Sequence, residues 1–135
     1  MAEPATIVLG LGREVGEAVA RRFHDDHHRV FAADSNESRI DKAREALPEA
    51  ITLSHCDLRT RLGLRNALTG ADEVFGRIDQ AVITPQIPDA DTLDSLDEDV
   101  FDKTAGRSIR SAVLAMRLVT ERMLDQDALP ANGSD

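Results

Sequence analysis

The 135-residue sequence contains no tyrosine, no tryptophan and a single cysteine, Cys56. One cysteine excludes the disulfide framework of small secreted domains, so a cytoplasmic setting is expected. No apolar run reaches the roughly 18 residues that a membrane span needs, and no basic leader segment precedes the first apolar run. Positive charge is outweighed by negative charge, with 16 lysine and arginine residues against 25 acidic ones and a net charge of −9. An acidic surface repels phosphate backbones, so nucleic acid is not an expected partner.

The length favours one domain, because 135 residues can bury one core but not two. We place this domain at residues 1–124. Residues 125–135 contain Pro130, Asn132 and Gly133, which predict a flexible C-terminal tail.

The most informative stretch runs from residue 5 to residue 20, with the sequence ATIVLGLGREVGEAVA. Residues 6–9 form an apolar run that predicts a buried strand, and residues 10–16 form a turn with three glycines. A helix is expected next, with its apolar face at Val15, Val19 and Phe23. A glycine turn that leads into a helix N-terminus is suited to binding a phosphate. The alternative is a tight turn that binds no ligand.

The rest of the chain repeats this strand–helix alternation. Further apolar runs at 29–33, 51–56 and 78–83 predict three more strands. The second helix has Ser35 or Asn36 as its N-cap candidate and closes at Pro48. The third helix is expected over residues 59–75 and should end at Gly76. Its apolar face is formed by Leu62, Leu64, Leu68 and Phe75. The last helix is expected over residues 97–124. This order predicts an α/β fold, a doubly wound, Rossmann-like parallel sheet of about four strands with helices on both faces.

Polar residues follow the predicted strands at the edge where such folds bind ligands. Asp34 follows the second strand, and a carboxylate there accepts hydrogen bonds from a ribose 2′-hydroxyl and repels a 2′-phosphate. NAD is therefore expected over NADP, although Arg13 favours the opposite choice. Asp57 follows the third strand and can accept a hydrogen bond from an adenine amino group. For both aspartates the alternative is a turn or helix-capping role.

The segment from His24 to His28 contains three histidines and two aspartates. Its residues are crowded into a connector without the regular spacing of metal ligands. We therefore expect a solvated turn and no metal.

Together these motifs resemble the N-terminal half of the short-chain dehydrogenase/reductase family over residues 6–124. The glycine turn is similar to the family's T-G-x-x-x-G-x-G turn. Gly76-Arg77-Ile78-Asp79 is similar to the G-R-x-D stretch that leads into its fourth strand. The resemblance implies that the chain binds a dinucleotide, with NAD preferred over NADP. The cofactor-binding residues it implies are Gly10, Gly12, Arg13, Val15, Gly16, Asp34, Asp57, Leu58 and Thr84.

The sequence also departs from the family pattern. Glu14 replaces the middle glycine, which puts a negative charge near the expected pyrophosphate. Ile83-Thr84-Pro85-Gln86 replaces N-N-A-G, and Ser108 replaces the catalytic asparagine. The family's proton relay of serine, tyrosine and lysine has no counterpart, since no tyrosine is present and the only lysines are Lys42 and Lys103. No catalytic residue is therefore predicted.

The last predicted helix is apolar around most of its circumference, which indicates burial on several sides. Its apolar residues include Ile109, Ala112, Val113, Leu114, Ala115, Met116, Leu118, Val119 and Met123. In the family this helix also joins a dimer interface. We therefore expect a homodimer, or another protein partner, at this helix or at the exposed sheet edge. The alternative is that Met116 and its neighbours complete the core of a monomer.

Two functions of different kinds follow from these observations. The first is a non-catalytic module that binds a nucleotide or a protein and self-associates. The second is an NAD(P)-dependent oxidoreductase of the short-chain type that a partner chain completes. A third possibility is a truncated chain with no function of its own.

Overall fold

The computed structural model describes residues 3–12, 14–84 and 97–133, with side chains up to residue 126. Arg13 and residues 85–96, between the fourth predicted strand and the last predicted helix, lie outside the described residues. Strands and helices alternate along the chain as β1 Ala5–Leu9, α1 Val15–Asp25, β2 Arg29–Asp34, α2 Glu37–Ala46, β3 Thr52–His55, α3 Arg61–Phe75, β4 Gln80–Ile83 and α4 Glu98–Gly133. The predicted order of elements is confirmed.

The four strands form one parallel sheet with the order β3-β2-β1-β4. The chain moves outward from β1 to β3 and then returns to the other side of β1 with β4. This reversal creates a crevice between β1 and β4 at the carboxyl ends of the strands, which is where doubly wound folds bind ligands. The predicted doubly wound fold is confirmed.

Alternate residues of β1 contribute to two cores on opposite faces of the sheet. Ile7 and Leu9 pack in a cluster with buried residues of α3 and α4. Val8 packs in the other cluster, with buried residues of α1 and α2. Because both faces are covered, every residue of β1 is buried, and the strand is continuously apolar rather than alternating.

Side chains and a glycine define the helix ends. The Asn36 side chain accepts a hydrogen bond from the Arg39 N–H at 3.1 Å, so Asn36 is the N-cap of α2. Thr60 caps α3 in the same way by accepting from Gly63 N–H at 3.0 Å. Helix α3 therefore begins at Arg61 and not at the predicted residue 59. Gly76 ends it in the left-handed conformation, as predicted.

Two helix faces differ from the prediction. Val15 is 67% exposed and Leu62 is 70% exposed, so neither belongs to the core. The buried residues of α1 are Gly16 and Ala20. Helix α1 lies so close to the glycine turn that a Cβ on Gly16 would overlap it. The predicted apolar residues Val19 and Phe23 are partly buried and pack against the core, so only Val15 is turned outward.

Helix α4 continues to Gly133, well past its predicted end at Leu124. The Gln126 side chain anchors this extension, because its amide accepts from the Ile78 N–H at 3.0 Å and donates to the Ile78 carbonyl at 2.5 Å. The sequence did not reveal this contact because it joins residues far apart in the chain. The flexibility of residues 125–135 as a whole stays a prediction.

The amino-terminal edge of the sheet is fixed by Asp79. Its carboxylate accepts from the Ala5 N–H at 2.8 Å and from Arg77 Nε at 2.7 Å. On the same edge, His28 Nδ1 lies 2.8 Å from Thr6 Oγ1.

Among the described residues there is no group of three or more histidine, cysteine or acidic residues that could hold a metal ion. No helix in the described ranges is long and apolar enough to cross a membrane.

Candidate functional site

The glycine turn lies at the carboxyl end of β1 and is held against β4. The Thr84 hydroxyl donates to the Gly10 carbonyl at 2.5 Å, and the Thr84 N–H donates to the Leu9 carbonyl at 3.0 Å. Gly10 has φ +106°, and a Cβ on it would overlap the Thr84 side chain. Glycine is therefore required at residue 10 for both its conformation and its close contact.

The end of the turn passes directly into helix α1. A Cβ on Gly16 would overlap the backbone of Gly10 and Leu11, so the first turn of α1 is packed against the glycine turn itself. Gly12 differs, because a Cβ there would meet nothing within 4 Å. Glu14 is the exposed N-cap of α1, and its side chain makes no capping hydrogen bond. The positive end of the helix dipole thus opens next to an exposed carboxylate.

Asp34 is fully buried, and its carboxylate is turned toward the glycine turn. Oδ2 accepts from the Leu11 N–H at 2.8 Å and from the Gly12 N–H at 3.3 Å. Oδ1 accepts from the Asn36 N–H at 2.7 Å and lies 3.9 Å from an Arg39 guanidinium nitrogen. The carboxylate therefore fixes the glycine turn to the end of β2. Its role in binding a ribose stays a prediction.

Asp57 is paired with its neighbour Arg59 at the end of β3. The guanidinium donates to both carboxylate oxygens, at 2.9 and 3.4 Å. The pKa of Asp57 is lowered, chiefly by this hydrogen bond from Arg59. The carboxylate that the sequence assigns to an adenine amino group is therefore ionised and has a partner within the chain.

Ser35 joins the turns that follow β2 and β3. Its hydroxyl accepts from the Leu58 N–H at 2.8 Å, and its carbonyl lies 2.9 Å from His55 Nε2. The Leu58 side chain is buried in the core cluster that includes residues of α3 and α4. The ends of β2 and β3 are thereby held at a fixed separation.

A crevice of about 260 Å³ lies at this edge of the sheet, between the strand ends and helix α4. Its apolar lining includes Leu9, Leu58 and Ile83. Its polar lining includes Ser35, Arg39, Arg59, Thr84, Arg107 and Ser108. Such a lining suits a ligand with a flat or apolar body and negatively charged groups.

The structure brings together only part of the predicted site. Leu58 and Thr84 line the crevice, whereas Gly10, Gly12 and Gly16 shape the adjoining turn. Val15 is exposed to solvent on α1. Arg13 lies outside the described residues, as do Pro85 and Gln86.

Sequence reasoning missed the basic residues of the crevice. Arg39 is in α2 and Arg107 is in α4, far apart in the sequence. The available signal was spacing: Thr104, Arg107, Ser108 and Ser111 lie at helical intervals of three and four on one face of α4. That signal was obscured by the apolar residues around the same helix.

The sequence matches the short chain dehydrogenase family over residues 4–128. Among curated relatives, meso-2,3-butanediol dehydrogenase of Serratia marcescens is 25% identical over 119 residues, which cover 87% of this chain and 47% of the relative. Among solved structures, a 3-ketoacyl-(acyl-carrier-protein) reductase of Brucella melitensis complexed with NADH is similar at a TM-score of 0.77 and 19% identity. That match covers 95% of this chain and 53% of the reductase.

A short chain dehydrogenase of Bacillus anthracis gives a TM-score of 0.78 at 17% identity, covering 93% of this chain and 51% of that one. The chain thus spans about half the length of these relatives. At such identities the solved structures establish the fold alone.

Proposed function

This chain belongs to the short-chain dehydrogenase family, and on that premise we propose that it binds a nicotinamide adenine dinucleotide in the crevice without carrying out hydride transfer by itself. The observation that carries the proposal is the glycine turn. Thr84 and Asp34 hold it at the point where the strand order reverses. A dinucleotide in doubly wound folds binds at this point, with its pyrophosphate at the helix N-terminus.

The shape of the turn supports the proposal. The space around Gly12 would accommodate a ligand next to the backbone, since nothing lies within 4 Å of a Cβ built there. The contact between Gly16 and the turn brings the N-terminus of α1 close to that space. When bound, the dinucleotide would supply the hydride chemistry, and these residues would hold its phosphates.

The non-catalytic part of the proposal rests on composition. The resemblance implies a tyrosine as the proton donor or acceptor, and no tyrosine occurs in the 135 residues. A missing general acid or base lowers a rate by roughly 10²–10⁴-fold. We therefore expect the chain to hold the dinucleotide without oxidising or reducing it at an enzymatic rate.

Titration of NADH or NADPH fluorescence against the protein tests the ligand part. We expect a saturable signal for at least one of them, and none after heat denaturation of the protein. No saturable binding of either nucleotide up to millimolar concentrations would refute it. The prediction that NAD is preferred over NADP stays open here, because it requires the Asp34 carboxylate to face the ribose.

We also propose that the chain forms a homodimer through α4. Ile109, Val113 and Met116 lie one turn apart on one face of the helix and are all at least half exposed. Ala115, Leu118 and Val119 on the other side are buried in the core. Met116 is half exposed while these neighbours pack in the core, and the exposed stripe is suited to a second apolar surface.

Sedimentation velocity tests this interface. The wild-type protein should sediment as a dimer and Val113→Glu as a monomer. Leu62→Glu provides the matched control, because Leu62 is also an exposed apolar residue but lies on α3. A wild-type monomer, or a dimer that survives Val113→Glu, would contradict the proposal.

An oxidoreductase completed by a partner chain is the second candidate. This candidate is favoured by the extent of the matches, since this chain covers about half the length of each relative. It requires carbonyl-dependent NAD(P)H oxidation after a chain that supplies the tyrosine and lysine is added. The cytoplasmic setting expected from the single cysteine is likewise proposed, and cell fractionation tests it.

A further inference from the structure

The sheet has an open edge at β4. The strand order β3-β2-β1-β4 leaves β4 with β1 on one side and no described strand on the other. Its residues Ala81, Val82 and Ile83 are only partly buried. An edge strand presents N–H and C=O groups along its outer side, and these groups can pair with a strand of another chain. The edge of β4 is therefore a candidate interaction surface.

The two edges of the sheet differ in how they are protected. The other edge strand, β3, borders a groove that Arg44 and Glu49 line together with Leu53. Charged residues beside an edge oppose the approach of another strand. The sequence of β4, Gln80–Ile83, contains no charged residue and no proline. Of the two edges, β4 is thus the one that admits a further strand.

The hydrogen bonds to β1 indicate which backbone groups of β4 face outward. Directly after β4, the Thr84 N–H donates to the Leu9 carbonyl of β1 at 3.0 Å. Backbone groups of successive residues in a strand point to alternate sides, so Val82 faces β1 as Thr84 does. The N–H and C=O groups of Ala81 and Ile83 therefore point toward the open edge.

We propose that β4 pairs antiparallel with β4 of a second copy of this chain, about a two-fold axis at Val82. The inference rests on the homodimer of the proposed function and specifies how its two copies join. Ala81 forms a hydrogen-bonded pair with Ile83 of the partner subunit, which satisfies the outward-facing groups of both residues. Val82 lies opposite Val82 of the partner subunit, with Cα atoms about 4.5 Å apart. The two sheets become one sheet of eight strands, four from each copy.

The side chains of β4 favour a second copy as the added strand. Ala81 and Ile83 pack against the core cluster that includes α3 and α4, whereas Val82 packs against the cluster on the opposite face. Pairing about Val82 places each of these side chains next to an apolar residue of the partner on the same face, so both cores continue across the interface. Like charges do not meet within the paired strands, because Gln80 faces Thr84 of the partner subunit.

The same two-fold axis joins the exposed stripe of α4 to this interface. Helix α4 packs on β4, on the face that carries Ala81 and Ile83. An axis perpendicular to the sheet therefore places the two α4 helices antiparallel on one face of the joined sheet. Ile109, Val113 and Met116 are exposed on this helix. The strand pairing and the proposed helix contact thus belong to a single two-fold interface.

Disulfide trapping tests the position of the axis. Val82→Cys, in a Cys56→Ser background that removes the native thiol, places two thiols at a Cα separation that a disulfide can span. Leu53→Cys in the same background is the matched control, since Leu53 is a partly buried apolar residue on the other edge strand. After treatment with oxidised glutathione, Val82→Cys should give a covalent dimer on a non-reducing gel and Leu53→Cys should not. Circular dichroism verifies that both variants are folded.

Hydrogen–deuterium exchange of the unmodified chain gives a second measurement that needs no substitution in β4. Sedimentation velocity identifies the concentrations at which the chain is monomeric or dimeric. We expect the amides of Ala81 and Ile83 to exchange about tenfold more slowly in the dimer than in the monomer. The amides of β3 should exchange at the same rate in both.

A dimer in which the β4 amides exchange as fast as in the monomer would overturn the strand pairing while leaving the proposed helix contact standing. Equal crosslinking of both cysteine variants, or crosslinking of neither, would overturn the axis at Val82. Slow exchange of β4 in the monomer would mean that the same chain covers this edge, and it would refute the inference as well. If the wild-type chain is a monomer at every concentration, the inference fails together with the proposed homodimer, whereas the proposed dinucleotide site is unaffected.

Discussion

Glu14→Gln should tighten dinucleotide binding and at the same time destabilise the protein slightly. Glu14 is the N-cap of α1, with φ −148° and ψ −34°, and its exposed side chain makes no capping hydrogen bond. It stands at the helix end where the proposed pyrophosphate would bind. Glutamine has the same shape as glutamate without its charge, so the substitution isolates the electrostatic effect.

The size of the gain follows from the exposure of Glu14. Two unit charges 4 Å apart in water interact by about 1 kcal/mol. A pyrophosphate carries about two negative charges, but they lie at this distance or farther from an exposed and mobile side chain. We therefore expect removal of the charge to improve binding by about 1 kcal/mol, or roughly fivefold in Kd.

The effect on stability should have the opposite sign. A negative side chain at a helix N-terminus stabilises the helix by roughly 0.3–1 kcal/mol, through the unpaired N–H groups and the helix dipole. Glu14→Gln removes that interaction. The free energy of unfolding should therefore fall by about 0.5 kcal/mol, while nucleotide affinity rises.

Titration of NADPH and NADH fluorescence at low and high salt, together with urea denaturation, measures both effects. Glu37→Gln is the matched control, since Glu37 lies in the first turn of α2 and makes the same change in net charge. Glu37→Gln should lower the free energy of unfolding by a similar amount without the fivefold gain in nucleotide affinity. Unchanged affinity in Glu14→Gln, or an equal gain in Glu37→Gln, would show that Glu14 does not repel the ligand locally.

Three further substitutions test how the sheet and the glycine turn are held. Gly16→Ala should lower the free energy of unfolding by about 1–3 kcal/mol, because its Cβ would overlap the turn. Gly12→Ala, at φ +61° with open space around it, should cost only about 1 kcal/mol; equal losses in urea denaturation would argue against the packing explanation. Asp79→Asn should cost about 1–2 kcal/mol near neutral pH. Burial opposes ionisation of Asp79, but hydrogen bonds from the Ala5 N–H and the Arg77 guanidinium outweigh it, so its pKa is lowered. The stabilisation is therefore present above the ordinary pKa of 3.8 and is lost as pH falls below it, so the difference between wild type and Asp79→Asn in denaturation midpoints should narrow under acid conditions.

The sequence by itself determined the fold and the edge at which the site lies. Continuous apolar runs predicted strands buried on both faces, and their alternation with helical patterns required parallel strands. Parallel strands place all of their carboxyl ends at one edge. The glycine turn, Asp34 and Thr84 were therefore expected to meet, and their hydrogen bonds confirm that they do.

Only the tertiary structure decided which way side chains face and what they contact. Val15 fits the apolar spacing of α1, yet it is exposed because Gly16 and Ala20 take the places nearest the turn and the sheet. Gln126 extends α4 through a contact with Ile78 that no local pattern encodes.

The same distinction governs the site. The position of Asp34 at the end of β2 was readable from the sequence, whereas the direction of its carboxylate was not, since it depends on the backbone N–H groups of Leu11 and Gly12. Likewise, Arg39 and Arg107 line one crevice only because α2 and α4 both reach the carboxyl edge of the sheet. Periodicity reflects local backbone geometry, but a binding site is built from contacts between residues distant in the chain, and only the packed fold brings them together.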